Sequence, residues 1–222
     1  MNEDFDFSRF APPERTAPCD LYLISPQDVG GDFAARLRDA VDHERVAAFQ
    51  LRVKGMDSHD LARAAAPLRA ICAEADVAFI VNDDVAMARR LDADGVHLGQ
   101  GDGDARDARA ELGPSVQIGV TCHASRHLAM EAGEAGADYV AFGSFHPSTT
   151  KASDHRPDPA ILSWWSSLFE LPCVAIGGIT PANAAPLVAA GADFLAVSNA
   201  IWSTSDVAAA VAEFDSVLQG EG

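Results

Sequence analysis

FIVNDDVAMARRLDADGVHLGQGD, residues 79–102, holds two short apolar runs separated by a segment of helical spacing, and each run stops abruptly in polar or charged groups. FIV ends in Asn82, Asp83 and Asp84, and GVHLG is followed by Gln100 and Asp102. Runs this short, apolar throughout rather than strictly alternating, suit parallel strands buried on both faces, and the connection has the length of a crossover helix. Asp84, followed by VAMARRL, is the candidate N-cap of that helix.

The same unit recurs on both sides. DLYLIS (20–25) and AFQLRVK (48–54) precede AFIVND (78–83) and GVHLGQ (95–100); QIGVTC (117–122), YVAFGS (139–144), CVAIGG (173–178) and FLAVSN (194–199) follow, which makes eight runs. The gaps are helical in length and period. In 57–75, Leu61, Ala64, Ala65, Leu68, Ile71 and Cys72 recur at helical spacing after Asp57 and Ser58 as candidate N-caps, and Pro67 predicts a kink. SRHLAMEAGEAG (125–136), APLVAAG and the turn before GVHLG predict three helices that stop at glycine and feed a strand. DADG, AGAD and AGAD, at 92–95, 135–138 and 190–193, echo a repeated βα unit. Eight alternations without a GxGxxG fingerprint favour an α/β fold of the (β/α)8 TIM-barrel type, a single domain over 19–222, rather than an open doubly wound sheet. Residues 1–18, acidic and proline-punctuated, read as a poorly ordered leader without the basic and apolar segments of a secretory signal.

Composition narrows the function classes. The chain is 48% hydrophobic and 22% charged, with no apolar run near the roughly 18 to 20 residues that span a bilayer. A net charge of −17 repels nucleic-acid phosphates and anionic lipid, so neither is an expected partner. Cys19, Cys72, Cys122 and Cys173 form no CxxC pair, which argues against a zinc site or disulfide framework and for a reducing cytoplasm.

In a barrel of this type the polar residues closing each strand meet at one mouth, where the chemistry sits. They are Gln50, Arg52 and Lys54; Asn82 and Asp83; His97, Gln100 and Asp102; Thr121 and His123; Ser148, Thr149, Thr150 and Lys151; Gly177 and Gly178; and Ser198 and Asn199. Period two puts Gln50, Arg52 and Lys54 on one face. Arg52 and Lys54 suit a diphosphate clamp, and equally an internal ion pair with Asp83 or Asp102. Asp83 and Asp102 close neighbouring strands; unless a cation lies between them, two close carboxylates repel, and hard oxygen ligands supplied sparingly suit Mg²⁺ completed by waters and substrate phosphate. Helix N-capping explains either aspartate alone as well. SFHPSTTKA has the composition of a phosphate-wrapping loop or of a solvated surface loop, and IGGIT and VSNAI close the two strands where phosphate-binding barrels expose backbone N–H groups. His97, inside GVHLG, reads as a satisfied core histidine rather than a ligand, whereas His123 and His146 are expected in loops at the mouth. Trp164, Trp165 and Phe169 read as packing on an outer helix or as part of a subunit contact, which leaves a homo-oligomer open.

QLRVK, VNDD, GVHLGQGD, IGVTCH, YVAFGSFHPSTTK, VAIGGIT and AVSNAI, in this order and spacing from about Leu21 to Ile201, resemble the thiamine-phosphate synthases, also called thiamine-phosphate pyrophosphorylases. The resemblance implies a Mg²⁺-dependent coupling of an aminopyrimidine methyl diphosphate with a hydroxyethylthiazole phosphate, run dissociatively, with pyrophosphate as the second product. It assigns Gln50, Arg52, Lys54, Asn82, Thr121 and Lys151 to the pyrimidine diphosphate, with Lys151, Arg52 and Lys54 catalytic. Asp83 and Asp102 would hold the metal, and Ser148, Thr149, Thr150, Gly178, Ser198 and Asn199 the thiazole phosphate. Departures are Ser25-Pro26 where LYLITD is usual, Thr121 for serine, Ser148 for threonine, Asn199 for serine, and ASDHRPDPAIL without the glycine expected before the sixth helix. Two other readings stand beside this one: a thiazole tautomerase, related to the synthases and lacking the paired carboxylates, and a non-catalytic thiazole-phosphate binder, which would need no diphosphate clamp.

Overall fold

The computed structural model describes residues 18–147 and 156–218. The expected leader up to residue 17 and the expected phosphate-loop residues Ser148, Thr149, Thr150 and Lys151 lie outside them. Eight parallel strands pair in chain order, and the last closes on the first: β1 (Asp20–Ile24), β2 (Val46–Leu51), β3 (Ala78–Asn82), β4 (Gly95–Leu98), β5 (Gln117–His123), β6 (Tyr139–Gly143), β7 (Cys173–Ile176) and β8 (Phe194–Val197). Helices cover the outside: α1 (Phe33–Val41), α2 (Ser58–Glu74), α3 (Val85–Leu91), α4 (Ala105–Leu112), α5 (Arg126–Glu134), α6 (Ala160–Leu168) and α7 (Pro181–Ala189), then the short α8 (Asn199–Trp202), α9 (Val207–Ala212) and α10 (Asp215–Leu218). The expected TIM barrel is the fold.

Capping follows the sequence reading closely. Asp57 accepts from the His59 N–H at 2.8 Å and Asp84 from the Met87 N–H at 2.8 Å, each satisfying a donor left over at a helix start. α2 continues through Pro67 without ending there. Of the three expected glycine stops, two hold: Gly136 and Gly191 take left-handed backbone just after α5 and α7. The third is corrected. α3 ends at Asp92, which takes the left-handed conformation at φ 50°, while Gly95 opens β4 because a β-carbon there would press on the Ile80 side chain.

The DADG and AGAD echoes have a structural content that the sequence reading lacked. Asp94, Asp138 and Asp193 each stand one residue before an even-numbered strand and clasp the start of the strand before it. Asp94 accepts from the Phe79 N–H at 2.7 Å and donates its own N–H to Phe79 O at 3.0 Å; Asp138 does the same with Ile118, at 2.7 Å both ways, and Asp193 with Cys173, at 2.8 and 3.0 Å. Before β2 the residue is Arg45, which pairs instead with Asp20 at 3.6 Å.

The main core lies between strands and helices, with Phe49, Phe79, Phe142, Trp165 and Phe214 fully buried in it. Trp165 stacks on Phe169 at 4.1 Å and donates to Leu171 O at 2.7 Å, so the aromatic group is packing, as expected. A second, smaller cluster fills the barrel interior, built on Tyr22, Ile24, Ala48, Ile80, Tyr139, Ala141, Val174 and Ala196. Gly119 faces the Tyr139 ring, and a β-carbon there would overlap it. All four cysteines are buried free thiols, and burial pushes Cys72 and Cys122 up to about 12, which leaves them protonated and inert.

Candidate active site

The C-terminal ends of the strands surround a cavity of about 350 Å³. Gln50, Arg52, Lys54, Asn82, Asp83, Asp102, Thr121, Gly178, Ser198 and Asn199 all line it, so the described residues that the resemblance assigns to substrates and metal reach one mouth.

The cationic wall comes from β2. The strand ends at Leu51, so Arg52 and Lys54 lie in the loop beyond it, yet both keep the face they share with Gln50. Two residues after β1 hold that loop. Ser25, buried, accepts the Arg52 N–H at 2.9 Å, and Gln27 grips Lys54 from both sides, donating to its carbonyl at 2.6 Å and accepting its N–H at 3.1 Å. The serine hydroxyl thereby fixes the backbone of the residue that carries the guanidinium.

The acidic wall comes from β3 and β4. Asn82 ends β3, and Asp83 follows in left-handed backbone at φ 66°, donating its N–H to His97 O at 2.8 Å. That turn sends the Asp83 carboxylate toward Lys54, 3.3 Å away, while Asp84 turns aside to cap α3. Asp102 meets Asp83 from the β4 side. Partial desolvation at the rim, then the Asp83 charge and a hydrogen bond with Asp83, push its carboxyl above the ordinary range; Lys54 and a Gly99 backbone bond pull the other way. Of the two readings of the cations, the structure contains the ion pair: Lys54 meets Asp83, and a pair this exposed is worth only about 0 to 1 kcal/mol.

Behind these walls a chain of hydrogen bonds crosses the barrel interior. Gln50 donates to Tyr22 Oη at 2.9 Å, Tyr22 Oη lies 2.9 Å from Tyr139 Oη, His97 Nδ1 lies 3.1 Å from Tyr139 Oη, and His97 Nε2 lies 2.8 Å from Thr121 Oγ1. His97 is thus a satisfied core histidine, and burial lowers it to about 4 despite the Asp102 charge.

The remaining walls come from β6 to β8. Gly177 and Gly178 take φ values of 108° and 60° and seat the Ser144–Pro147 segment, with His146 N–H donating to Gly177 O at 3.0 Å; a β-carbon on Gly178 would strike Pro147 O. Ser198 precedes α8 without capping it through its side chain. Trp202, at the end of α8, anchors that helix by donating to Ile24 O at 2.7 Å and packing on Phe33.

Three placements correct the sequence reading. Gln100 leaves the cavity and donates to Thr121 O at 2.6 Å. His123 lines the cavity from the last position of β5 rather than from a loop, at φ 52°. His146 lies off the cavity wall, with Nε2 buried and without a partner among the described residues. Ser25, Gln27, Tyr22 and Tyr139 were missed. The tyrosines sit inside apolar runs and read as core, and Gln27 binds backbone, which leaves no pattern in a sequence.

Among the described residues no three His, Cys, Asp or Glu side chains form a metal cluster, and no helix is long and apolar enough to cross a membrane. A family model described as thiamine monophosphate synthase matches residues 21–201. The thiamine-phosphate synthase of Erythrobacter litoralis is 62% identical over 88% of this chain and 94% of that protein, and that of Rhodospirillum centenum 50% identical over 91% and 99%. Among solved structures, a thiamine phosphate pyrophosphorylase from Pyrococcus furiosus superposes with a TM-score of 0.77 at 31% identity, covering 90% of this chain and 95% of that one. A match running from the first strand of the barrel to the last, at identities of this size, shows that the chain belongs to the thiamine monophosphate synthase family and is a transferase of thiamine biosynthesis.

Proposed function

We propose that the cavity couples an aminopyrimidine methyl diphosphate to a hydroxyethylthiazole phosphate, forming thiamine phosphate and pyrophosphate with the help of Mg²⁺. The observation that carries this reading is the convergence of Asp83 and Asp102 beside Lys54. An Asp102 carboxyl that the neighbouring Asp83 charge pushes toward protonation makes a poor closed ion pair and a good place for a divalent cation, and the hard oxygens of the two residues fit Mg²⁺ completed by water and phosphate. When bound there, Mg²⁺ would neutralise charge on the diphosphate oxygens.

The chain's own residues account for the rest. Arg52 and Lys54 take the diphosphate, and Lys151 is assigned by its motif to the same leaving group, although it lies outside the described residues. The C–O bond between the pyrimidine methylene and the diphosphate breaks first, and its electron pair departs with the diphosphate. The resulting methylene cation is delocalised onto the ring amino group. The thiazole ring nitrogen then donates its lone pair to form the C–N bond, with no proton transfer required, which agrees with a cavity built for positioning and charge neutralisation. Ser198, Asn199 and Gly178, together with Ser148, Thr149 and Thr150 outside the described residues, hold the thiazole phosphate. The four free buried thiols agree with a reducing cytoplasm.

The test is pyrophosphate release from purified protein given both substrates. Release that needs Mg²⁺ and stops on chelation is expected. Thiazole phosphate binding without any release would favour a binding protein, and metal-independent isomerisation of the thiazole a tautomerase.

A further inference from the structure

Four hydrogen bonds link Gln50 on one wall of the cavity to Thr121 on another through three side chains to which the coupling reaction assigns no task. With the Gln50 amide oriented as it is, the order of the other three bonds follows from counting protons. Gln50 donates an amide hydrogen to Tyr22 Oη. A phenol has a single hydrogen, and the side-chain oxygen that Tyr22 has left to receive it, among the described residues, is Tyr139 Oη. Tyr139, having accepted, donates its own hydrogen to His97 Nδ1. His97 is buried, its two ring nitrogens face two hydroxyls, and a neutral imidazole in that setting carries one N–H. With Nδ1 accepting, that hydrogen sits on Nε2 and goes to Thr121 Oγ1. A break at any single link leaves a buried donor without an acceptor, at a cost of about 1 to 3 kcal/mol, so the chain runs in this order or is reversed as a whole, with the hydrogen of His97 on Nδ1 and the Gln50 carbonyl accepting from Tyr22.

The two ends are set as a result. Gln50 spends its nitrogen on Tyr22 and keeps its carbonyl oxygen for the cavity it lines; Thr121 accepts from His97 and keeps its hydroxyl hydrogen for the cavity. We propose that Tyr22, Tyr139 and His97 are positioning residues that fix Gln50 as a hydrogen-bond acceptor and Thr121 as a donor toward an aminopyrimidine ring, an inference that rests on the coupling reaction proposed above. Such a ring offers an amino donor and ring-nitrogen acceptors, so it satisfies both demands. A glutamine amide by itself is nearly symmetric in shape and can present either end. The distinction matters in the bond-breaking step. As positive charge spreads onto the amino group, an acceptor facing it strengthens and lowers the barrier, whereas an amide N–H in its place opposes the same charge.

The experiment combines nitrogen NMR of His97 in the substrate-free protein with steady-state kinetics of Tyr139→Phe and Tyr22→Phe. Phenylalanine keeps each ring, including the one seated against Gly119, and thermal melting of both variants checks that the barrel is retained. The wild-type protein is expected to show the Nε2–H tautomer. In Tyr139→Phe the tautomer becomes mixed, because Nδ1 has lost its donor. In Tyr22→Phe the tautomer is unchanged, because Tyr139 still donates to Nδ1. Both variants lose kcat by about tenfold, the size of one net hydrogen bond, with KM for the thiazole phosphate unchanged. A merely structural role does not separate the two variants by tautomer while joining them by kcat. An Nδ1–H tautomer in the wild type overturns the proposal, as does wild-type kcat in both variants. Wild-type protein that releases no pyrophosphate would defeat the coupling reaction, and the tautomer, read without substrates, would still decide the bond order.

Discussion

Gln27 lines no part of the cavity, yet its amide holds both backbone groups of Lys54. Replacing it with alanine frees the loop that carries Arg52 and Lys54 while removing neither charge. Gln27→Ala is therefore expected to raise KM for the pyrimidine diphosphate by about tenfold, as the loss of one or two net hydrogen bonds implies, with thermal stability little changed because the site is exposed. Asp83 calls for a different substitution. Its left-handed backbone is one that asparagine tolerates, so Asp83→Asn removes the charge without straining the turn. Pyrophosphate release should fall by about 100-fold or more with the melting temperature preserved; a variant that melts early but turns over normally would make Asp83 a structural residue. At this scale the sequence shows which residues end strands, because charge after an apolar run is visible in one dimension. It does not show Gln27 or Ser25, whose partners are backbone groups that every residue supplies.

The strand pairs, more than single strands, are the units of this barrel. The aspartate clasps at β3/β4, β5/β6 and β7/β8 each join an odd strand to its even successor at the closed end of the barrel, opposite the cavity. Asp138 also binds the Arg109 guanidinium, so its loss strands a backbone donor and takes a carboxylate from the arginine, which keeps its bonds to the Gly113, Val116 and Gly136 carbonyls. Asp138→Ala is expected to lower unfolding free energy by about 1 to 3 kcal/mol in urea titration, and Asp138→Asn, which keeps a carbonyl for the Ile118 N–H, by less, with kcat unchanged in both. Equal losses from the two substitutions would mean that the backbone clasp contributes nothing. All eight strands were legible from their apolar runs, since both faces of a parallel strand are buried. The end of α3 was not, because an aspartate took the left-handed position that favours glycine and the glycine nearby served packing against Ile80. The AGAD echo was legible as a repeat but not as a clasp, because the clasped partner lies in a different strand.

Closing eight strands into a barrel encloses an interior that is not wholly apolar: Gln50 and His97 are buried there among Tyr22 and Tyr139. The stability of the whole molecule is therefore tied to His97 remaining neutral. In the unfolded chain this histidine takes a proton near 6.5, and in the folded barrel burial lowers that to about 4. Between those values the unfolded state binds more protons, so the contribution is complete above about pH 6.5 and is lost as pH falls toward 4, on the order of 3 kcal/mol in all. Relief of self-repulsion from the net charge of −17 acts with the opposite sign on acidification, so wild-type protein alone does not isolate the histidine. A comparison with His97→Asn does, because the general charge effect cancels in the difference. The variant should be the less stable of the two at neutral pH, having lost its bonds to Tyr139 and Thr121, and the gap should close as pH falls through the histidine range. Urea midpoints across that range are the measurement. Parallel curves would place the acid sensitivity of the barrel elsewhere, and curves that converge would place it on the imidazole that joins β4 to β5 and β6 across the interior.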